Sequence, residues 1–432
     1  MATSISARAL QFPENPIRGL GILAAQAQTK GTTVIPLNIG APDTSTAITI
    51  RKAGAQFLQK SKSIAYGPSV GDTELISNIK NFYTQKLQLK NIRPNNILIT
   101  QGASEALELL FYTIADQNDE ILTPDPFYPN YNAIAYKYAI KLKPIPTNID
   151  NGFHLINQKE TIKQAVARLS KLVTKKTKAI IWSSPGNPTG TVFSTKELKV
   201  LFLLAKKHDL FLISDEVYRL LTFEKSSALG KILRSPSILD IVPPSQREKI
   251  IVLDSASKMI SFCGARVGTI VASDILIQAM AINASVRGCP STISQAAMAK
   301  INEIPTSYFN QNRKELEKRR DFLYQELVKL KEIGITVSPQ KPEGAFYIVA
   351  GLGKKVVAQE FCKWLLTDYP QLSKSSVTLM LTPMRMGKGG FYLNEKSGFN
   401  QVRIAYVVNM PSLKKAIDIL KDSLLLYLSI KK

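Results

Sequence analysis

Histidine is nearly absent: His154 and His208 are the two in 432 residues. A zinc site or a histidine-based triad is therefore not expected, and acid–base chemistry falls to lysine and tyrosine. Cysteine is scarce too. Cys263, Cys289 and Cys362 stand far apart with no CxxC pair, which fits a reducing compartment and excludes a disulfide framework. No apolar run approaches the ~18 residues of a membrane span. The N-terminal stretch MATSISARALQF has no long apolar core of the secretory type. A cytoplasmic location and no membrane partner are the expectation.

Acidic residues are also short, with 33 Asp and Glu against 56 Lys and Arg and a formal charge of +23. Such an excess raises nucleic acid as a partner. The lysines are scattered, however, and pairs such as Lys175-Lys176 and Lys206-Lys207 read as solvated helix ends or loops. General lysine-rich composition accounts for the charge, and no nucleic-acid partner is expected. Internal repeats and low-complexity linkers are missing as well.

What is present is a globular composition, 45% apolar, in a chain too long for one ordinary core. Apolar runs bounded by turns predict strands over 96–100, 120–123, 141–145, 178–182, 210–214, 250–253 and 267–271. A helix is expected over about 17–30, and a long one over about 308–331, where Leu316, Leu323, Leu327 and Leu330 share a face. Strands at 335–337, 345–349 and around Arg403 follow it.

Three stretches carry chemistry. The strand at 250–253 runs into Asp254-Ser255-Ala256-Ser257-Lys258, with Arg266 eight residues further on. A lysine amine at the end of a rigid strand can form an imine with an aldehyde. Hydroxyls and a guanidinium fork nearby can bind a phosphate. The strand at 96–100 opens through Gly102-Ala103-Ser104 onto a helix, an arrangement whose free N–H groups and dipole favour an anion. The strand at 210–214 places Asp215 at its C-terminal end, where open α/β sheets have their ligand crevice. A helix N-cap is the structural alternative for Asp215.

The segment 254–268 resembles the signature around the Schiff-base lysine of class I/II pyridoxal-phosphate aminotransferases, the aspartate aminotransferase superfamily. The likeness runs from about Leu37 to Ala405, with further motifs in family order. Leu37-Asn38-Ile39-Gly40-Ala41-Pro42-Asp43 is similar to a turn whose glycine, here Gly40, lies by the substrate carboxylate. Tyr66 begins a segment whose tyrosine reaches across a dimer interface to the partner's cofactor phosphate. The family's usual arginine after Leu75 is replaced here by Ile76.

The same resemblance implies a role for each remaining motif. Tyr128, in Pro124-Asp125-Pro126-Phe127-Tyr128, stands where the ring-stacking aromatic sits. Asn187, in Asn187-Pro188-Thr189-Gly190, and Tyr218 bind the phenolic oxygen of pyridoxal 5'-phosphate. Asp215 pairs with the pyridine nitrogen. Ser255, Arg266 and Gly102-Ala103-Ser104 hold the phosphate, and Lys258 carries the Schiff base. Arg403, with Asn187 and Gly40, takes the substrate; Arg403 is the fork for the α-carboxylate.

The implied fold is type I: a mostly parallel seven-stranded sheet with helices on both faces, plus a smaller α/β domain. The implied division is an N-terminal segment over 1–45 belonging to the small domain, a large cofactor-binding domain over 46–305 and the small C-terminal domain over 306–432. The implied assembly is a homodimer with shared active sites. The implied reaction is ping-pong transfer of the amino group of an L-amino acid, aspartate or glutamate, to a 2-oxo acid such as 2-oxoglutarate. A dicarboxylate needs a second cation, for which Arg18, Arg287, Arg385 and Lys388 are candidates.

Other readings stay open. Neutral or aromatic donors, and a C–S lyase on the same scaffold, share almost every residue named. Ser255-Ala256-Ser257-Lys258 is formally S-x-x-K, but the S-D-N and K-T-G elements of serine acyl enzymes do not occur. A DNA-binding regulator on this fold needs an added domain, and 36 residues precede Leu37.

Overall fold

The computed structural model describes residues 5–157, 159–223 and 232–431. A seven-stranded sheet forms its centre. Across the sheet the strands run Ile97–Thr100, Gly268–Val271, Ile250–Ser255, Phe211–Asp215, Thr177–Ser183, Glu120–Asp125, Lys141–Pro146. The last five are mutually parallel. Gly268–Val271 runs antiparallel to both of its neighbours.

The central strands are apolar at consecutive positions because helices cover both faces of the sheet. Alternation along each strand divides the side chains between two cores. Ile99, Leu122, Ile180, Leu212 and Val252 enter one. Leu98, Ile121, Ile181, Ile213, Ile251 and Leu253 enter the other. Ile76 is buried in the first core, so the position where the family's arginine is usual serves packing here.

A third core gathers residues from both ends of the chain, including Leu20, Ile35 and Leu37 with Leu316, Phe346, Ile404, Leu413 and Leu424. Its sheet is antiparallel, in the order Thr382–Pro383, Gln401–Ala405, Tyr347–Gly351, Thr336–Val337. Thr33–Pro36 pairs in parallel with Val377–Met380, tying the early chain to the late one. The long helix spans Thr306–Lys329, close to its expected place.

Two differences from the sequence reading are informative. The helix expected over about 17–30 spans Gly21–Thr29 and so starts four residues late. Asn15 holds a turn ahead of it: its side-chain oxygen accepts from Ile17 N at 3.0 Å, and its carbonyl accepts from Gly19 N at 2.8 Å. The second difference is a helix over Met410–Ile430 that the reading did not name. Among the described residues no helix is long and apolar enough to cross a membrane.

Candidate active site

The C-terminal ends of the parallel strands meet a cavity of about 590 Å³. Asp215 closes its strand, and Ser255 closes the next one. Backbone pairing fixes these ends side by side, since Asp215 is in register with Leu253. A four-residue helix, Ala256–Met259, follows Ser255 and carries Lys258 into the cavity. Lys258 Nζ donates to the Gly40 carbonyl at 2.5 Å and lies 3.7 Å from Cys263 Sγ.

Asp215 is 3% exposed. Burial pushes its carboxyl up to about 6, against the pull of hydrogen bonds from Tyr131 and Val217. Tyr131 Oη donates to Oδ2 at 2.7 Å, whereas among the described residues Oδ1 has only a long contact, 3.5 Å, from Val217 N. The carboxylate therefore has room for one more donor.

Beneath the site, Arg219 lies 3.0 Å from Glu216 and 3.0 Å from Asp254, all three buried. Tyr83 Oη donates to Asp254 at 3.1 Å. Arg219 thus ties the residue after Asp215 to the residue before Ser255.

Arg403 is fully buried, and burial lowers its pKa. Nη1 donates to Asn187 Oδ1 at 2.8 Å, and Nη2 donates to the Asn38 carbonyl. Nε has no hydrogen-bond partner among the described residues. The guanidinium stacks 4.2 Å from the Tyr347 ring centre. Tyr347 Oη is 2.9 Å from Tyr218 Oη, and burial raises Tyr218 well above the usual tyrosine value. Tyr128 is pushed up to about 12, also by burial.

At the other end of the cavity, the helix Ala103–Ile114 starts after Gly102, whose position has no side-chain cap. Ala103 and Ser104 line the cavity there. A Cβ on Gly102 would lie 2.3 Å from Arg266 Nη2, and one on Gly268 would lie 2.8 Å from Ala103 N. The two glycines let the guanidinium and the helix start approach one another. Ser255 Oγ donates to the Val267 carbonyl at 3.1 Å and lies 2.9 Å from Ser257 Oγ, so a hydroxyl pair faces this end.

The structure thus brings Gly40, Ala103, Ser104, Tyr128, Asn187, Asp215, Tyr218, Ser255, Lys258, Arg266 and Arg403 to one cavity. Gly102 stands behind Arg266. Tyr66 is outside that wall, 95% exposed. Of the four cations considered for a second carboxylate, Arg18 lines the cavity and the other three do not. Arg287 is ion-paired with Glu105, Arg385 donates to the Asn394 carbonyl at 2.7 Å, and Lys388 is exposed on a short hairpin. The sequence reading gave no role to Tyr131, Tyr347 or Asn38. Tyr131 sits in the first turn of the helix Asn130–Lys137, and its ring packs edge-on against that of Tyr128, 5.7 Å between centres.

A model of the family described as aminotransferase class I and II matches residues 32–372. The chain belongs to that family. Its activity is accordingly that of a transaminase. An aspartate aminotransferase of Thermotoga maritima is 30% identical over 97% of this chain and 99% of its own. One from Sulfurisphaera tokodaii is 31% identical over 77% of each chain. Among solved structures, an alanine aminotransferase from Pyrococcus furiosus superposes with a TM-score of 0.81 at 28% identity, covering 98% of this chain and 99% of that one.

The family works with pyridoxal phosphate, and the cavity suits such a group on three counts. A buried carboxylate, Asp215, has an under-used oxygen. An uncapped helix start faces a guanidinium across a glycine-lined gap. A lysine amine lines the same cavity, donating to the Gly40 carbonyl.

Proposed function

We propose that the protein transfers the amino group of an acidic L-amino acid, aspartate or glutamate, to a 2-oxo acid such as 2-oxoglutarate. One observation carries the reading: four cations, Arg18, Lys258, Arg266 and Arg403, line the cavity with a single carboxylate, Asp215. That balance suits a phosphorylated cofactor and a substrate with two carboxylates. The relatives named aspartate aminotransferases support it.

Pyridoxal phosphate, when bound, supplies an aldehyde for imine formation and a ring that takes up the electron pair released at Cα. Lys258 would hold it through Nζ. Lys258, once its amine is free, takes the proton from the substrate Cα and returns it further along, which requires the neutral amine. Asp215 offers its open oxygen to a protonated ring nitrogen and keeps that proton in place. Asn187 has its Oδ1 engaged by Arg403, so its NH₂ remains as a donor to the phenolic oxygen beside Tyr218. Arg266, Ser255 and the N–H groups of Ala103 and Ser104 would bind the phosphate, and Gly102 makes room for them. Tyr128 lines the cavity and would pack on the cofactor's ring and exclude water. Arg403 fixes the α-carboxylate beside Gly40.

The assembly in this reading is a homodimer. Tyr66 belongs to the partner's phosphate site, which agrees with its exposure on the single chain.

The test is kcat/KM for aspartate, glutamate, alanine, leucine and phenylalanine with 2-oxoglutarate or oxaloacetate as acceptor, read by product identification. Acidic donors are expected to lead. A neutral or aromatic donor ahead of both acids by about tenfold, ~1.4 kcal/mol of transition-state preference, overturns the substrate assignment. Product analysis that finds lyase products instead of a new amino acid overturns the transfer.

A further inference from the structure

A second carboxylate closes a strand of the central sheet. Asp125 ends Glu120–Asp125, two strands away from Asp215. It is 5% exposed, and burial raises its pKa. It does not line the cavity. Its oxygens serve the backbone of a distant stretch: Leu393 N donates to Oδ1 at 2.9 Å, and Asn394 N donates to Oδ2 at 3.3 Å. Asp125 is itself held, since its carbonyl accepts from Thr147 Oγ1 at 2.8 Å.

The stretch so bound runs from the hairpin of Arg385–Met386 and Gly389–Gly390 to the strand that carries Arg403. A second tie to the central sheet lies close by, where Phe127 N donates to the Phe391 carbonyl at 2.8 Å. Phe391 is fully buried and packs with Phe153, Val349 and Met384. The Arg403 guanidinium lies over its ring, 5.2 Å from the centre. Two rings therefore lie against Arg403. Tyr347 comes from the neighbouring strand of the same sheet. Phe391 is placed by bonds to the other sheet. Such rings attract the guanidinium and keep water from it, which strengthens its pairing with a carboxylate.

We propose that Asp125 is a positioning residue for substrate binding. It fastens residues 391–394 to the end of the central sheet and so keeps the Phe391 ring on Arg403. The inference rests on reading Arg403 as the ligand of the α-carboxylate. Neither Asp125 nor Phe391 lines the cavity, so the effect on the substrate passes through the guanidinium. It is the same for every amino donor, because the α-carboxylate is common to all of them.

The experiment uses the cofactor-loaded protein and propionate, a carboxylate that cannot react. Calorimetry compares the wild type, Asp125→Asn, Phe391→Leu and the double variant. Asparagine keeps the shape of the side chain and removes a buried charge, so Asp125→Asn is expected to fold. Asp125→Glu takes its place, with the same expectations, if it does not load the cofactor. Propionate binding should weaken about fivefold to tenfold in each single variant, and no more than about twofold further in the double one, because both changes act on one contact. Cofactor affinity should change less than about twofold, as the two sites are separate. KM should rise by one factor for glutamate and alanine alike, with kcat within about twofold of the wild type. Losses that multiply in the double variant, or a cofactor loss as large as the propionate loss, overturn the proposal. An Arg403→Lys control separates it from the reading beneath it. Propionate binding weakened by Arg403→Lys and untouched by Asp125→Asn overturns the role of Asp125 alone. Propionate binding indifferent to Arg403→Lys removes the reading of Arg403, and the role of Asp125 with it.

Discussion

Arg403 Nη1 donates to Asn187 Oδ1 at 2.8 Å, joining residues 216 positions apart. The contact links the turn after Thr177–Ser183 to the strand Gln401–Ala405. It gives a buried guanidinium a neutral partner, so part of the charge remains for an incoming carboxylate. Asn187→Asp would replace that neutral partner with an anion that competes with the substrate. KM is expected to rise about tenfold or more for every amino donor alike, whatever its side chain. Steady-state kinetics over the donor panel checks this. A loss confined to acidic donors would contradict the assignment of Arg403 to the α-carboxylate.

Asp215 makes a prediction in two directions. Asp215→Asn should lower kcat/KM by about 10²-fold or more, because an amide cannot hold the ring-nitrogen proton. The same change should stabilise the cofactor-free protein at neutral pH. The folded pKa, about 6, lies above the ordinary carboxylate value, so the folded state binds the proton more tightly. That stabilisation is fully present below about pH 4 and is lost as pH rises through 6. Melting curves of the cofactor-free protein across this window should show the wild type losing stability relative to Asp215→Asn. Parallel curves would mean the carboxylate is not penalised by burial.

Arg219 is buried with Glu216 and Asp254, and neither carboxylate has another cation within ion-pair distance among the described residues. Arg219→Leu would leave two buried acids without their counter-charge. The expected loss of stability is about 3–5 kcal/mol, read by urea unfolding of the cofactor-free protein. A change within about 0.5 kcal/mol would show that the network contributes specificity of placement and little stability.

Much of this site is legible in the sequence because each motif occupies a strand end or the turn after it. Strand ends are marked by the switch from an apolar run to small or polar residues, as at Asp215 and at Ser255-Ala256-Ser257-Lys258. The sheet follows for the same reason, and its strands lie within two residues of their expected bounds. Residues that act on other residues are harder to read. Tyr131, which donates to Asp215, and Tyr347, which stacks on Arg403, look like core aromatics beside Tyr128 and Phe346. Asn38 is defined by partners 21 and 365 positions away. The helix Gly21–Thr29 follows a turn held by Asn15 and packed on Met386, almost at the other end of the chain. The helix Met410–Ile430 is different, because its signals were local. Asn409 caps it, Pro411 stands in its first turn, and Leu413, Ile417, Leu420, Leu424 and Tyr427 recur on one face.

The central claim is that Lys258 Nζ is the amine on which amino-group transfer turns. Borohydride reduction of the loaded protein, followed by peptide mass spectrometry, tests it most directly. The account predicts loss of the visible imine band and a single reduced pyridoxyl-phosphate adduct on the peptide containing Lys258, with none on that peptide in Lys258→Ala. An adduct on a different lysine, or full transaminase turnover in Lys258→Ala, would contradict it.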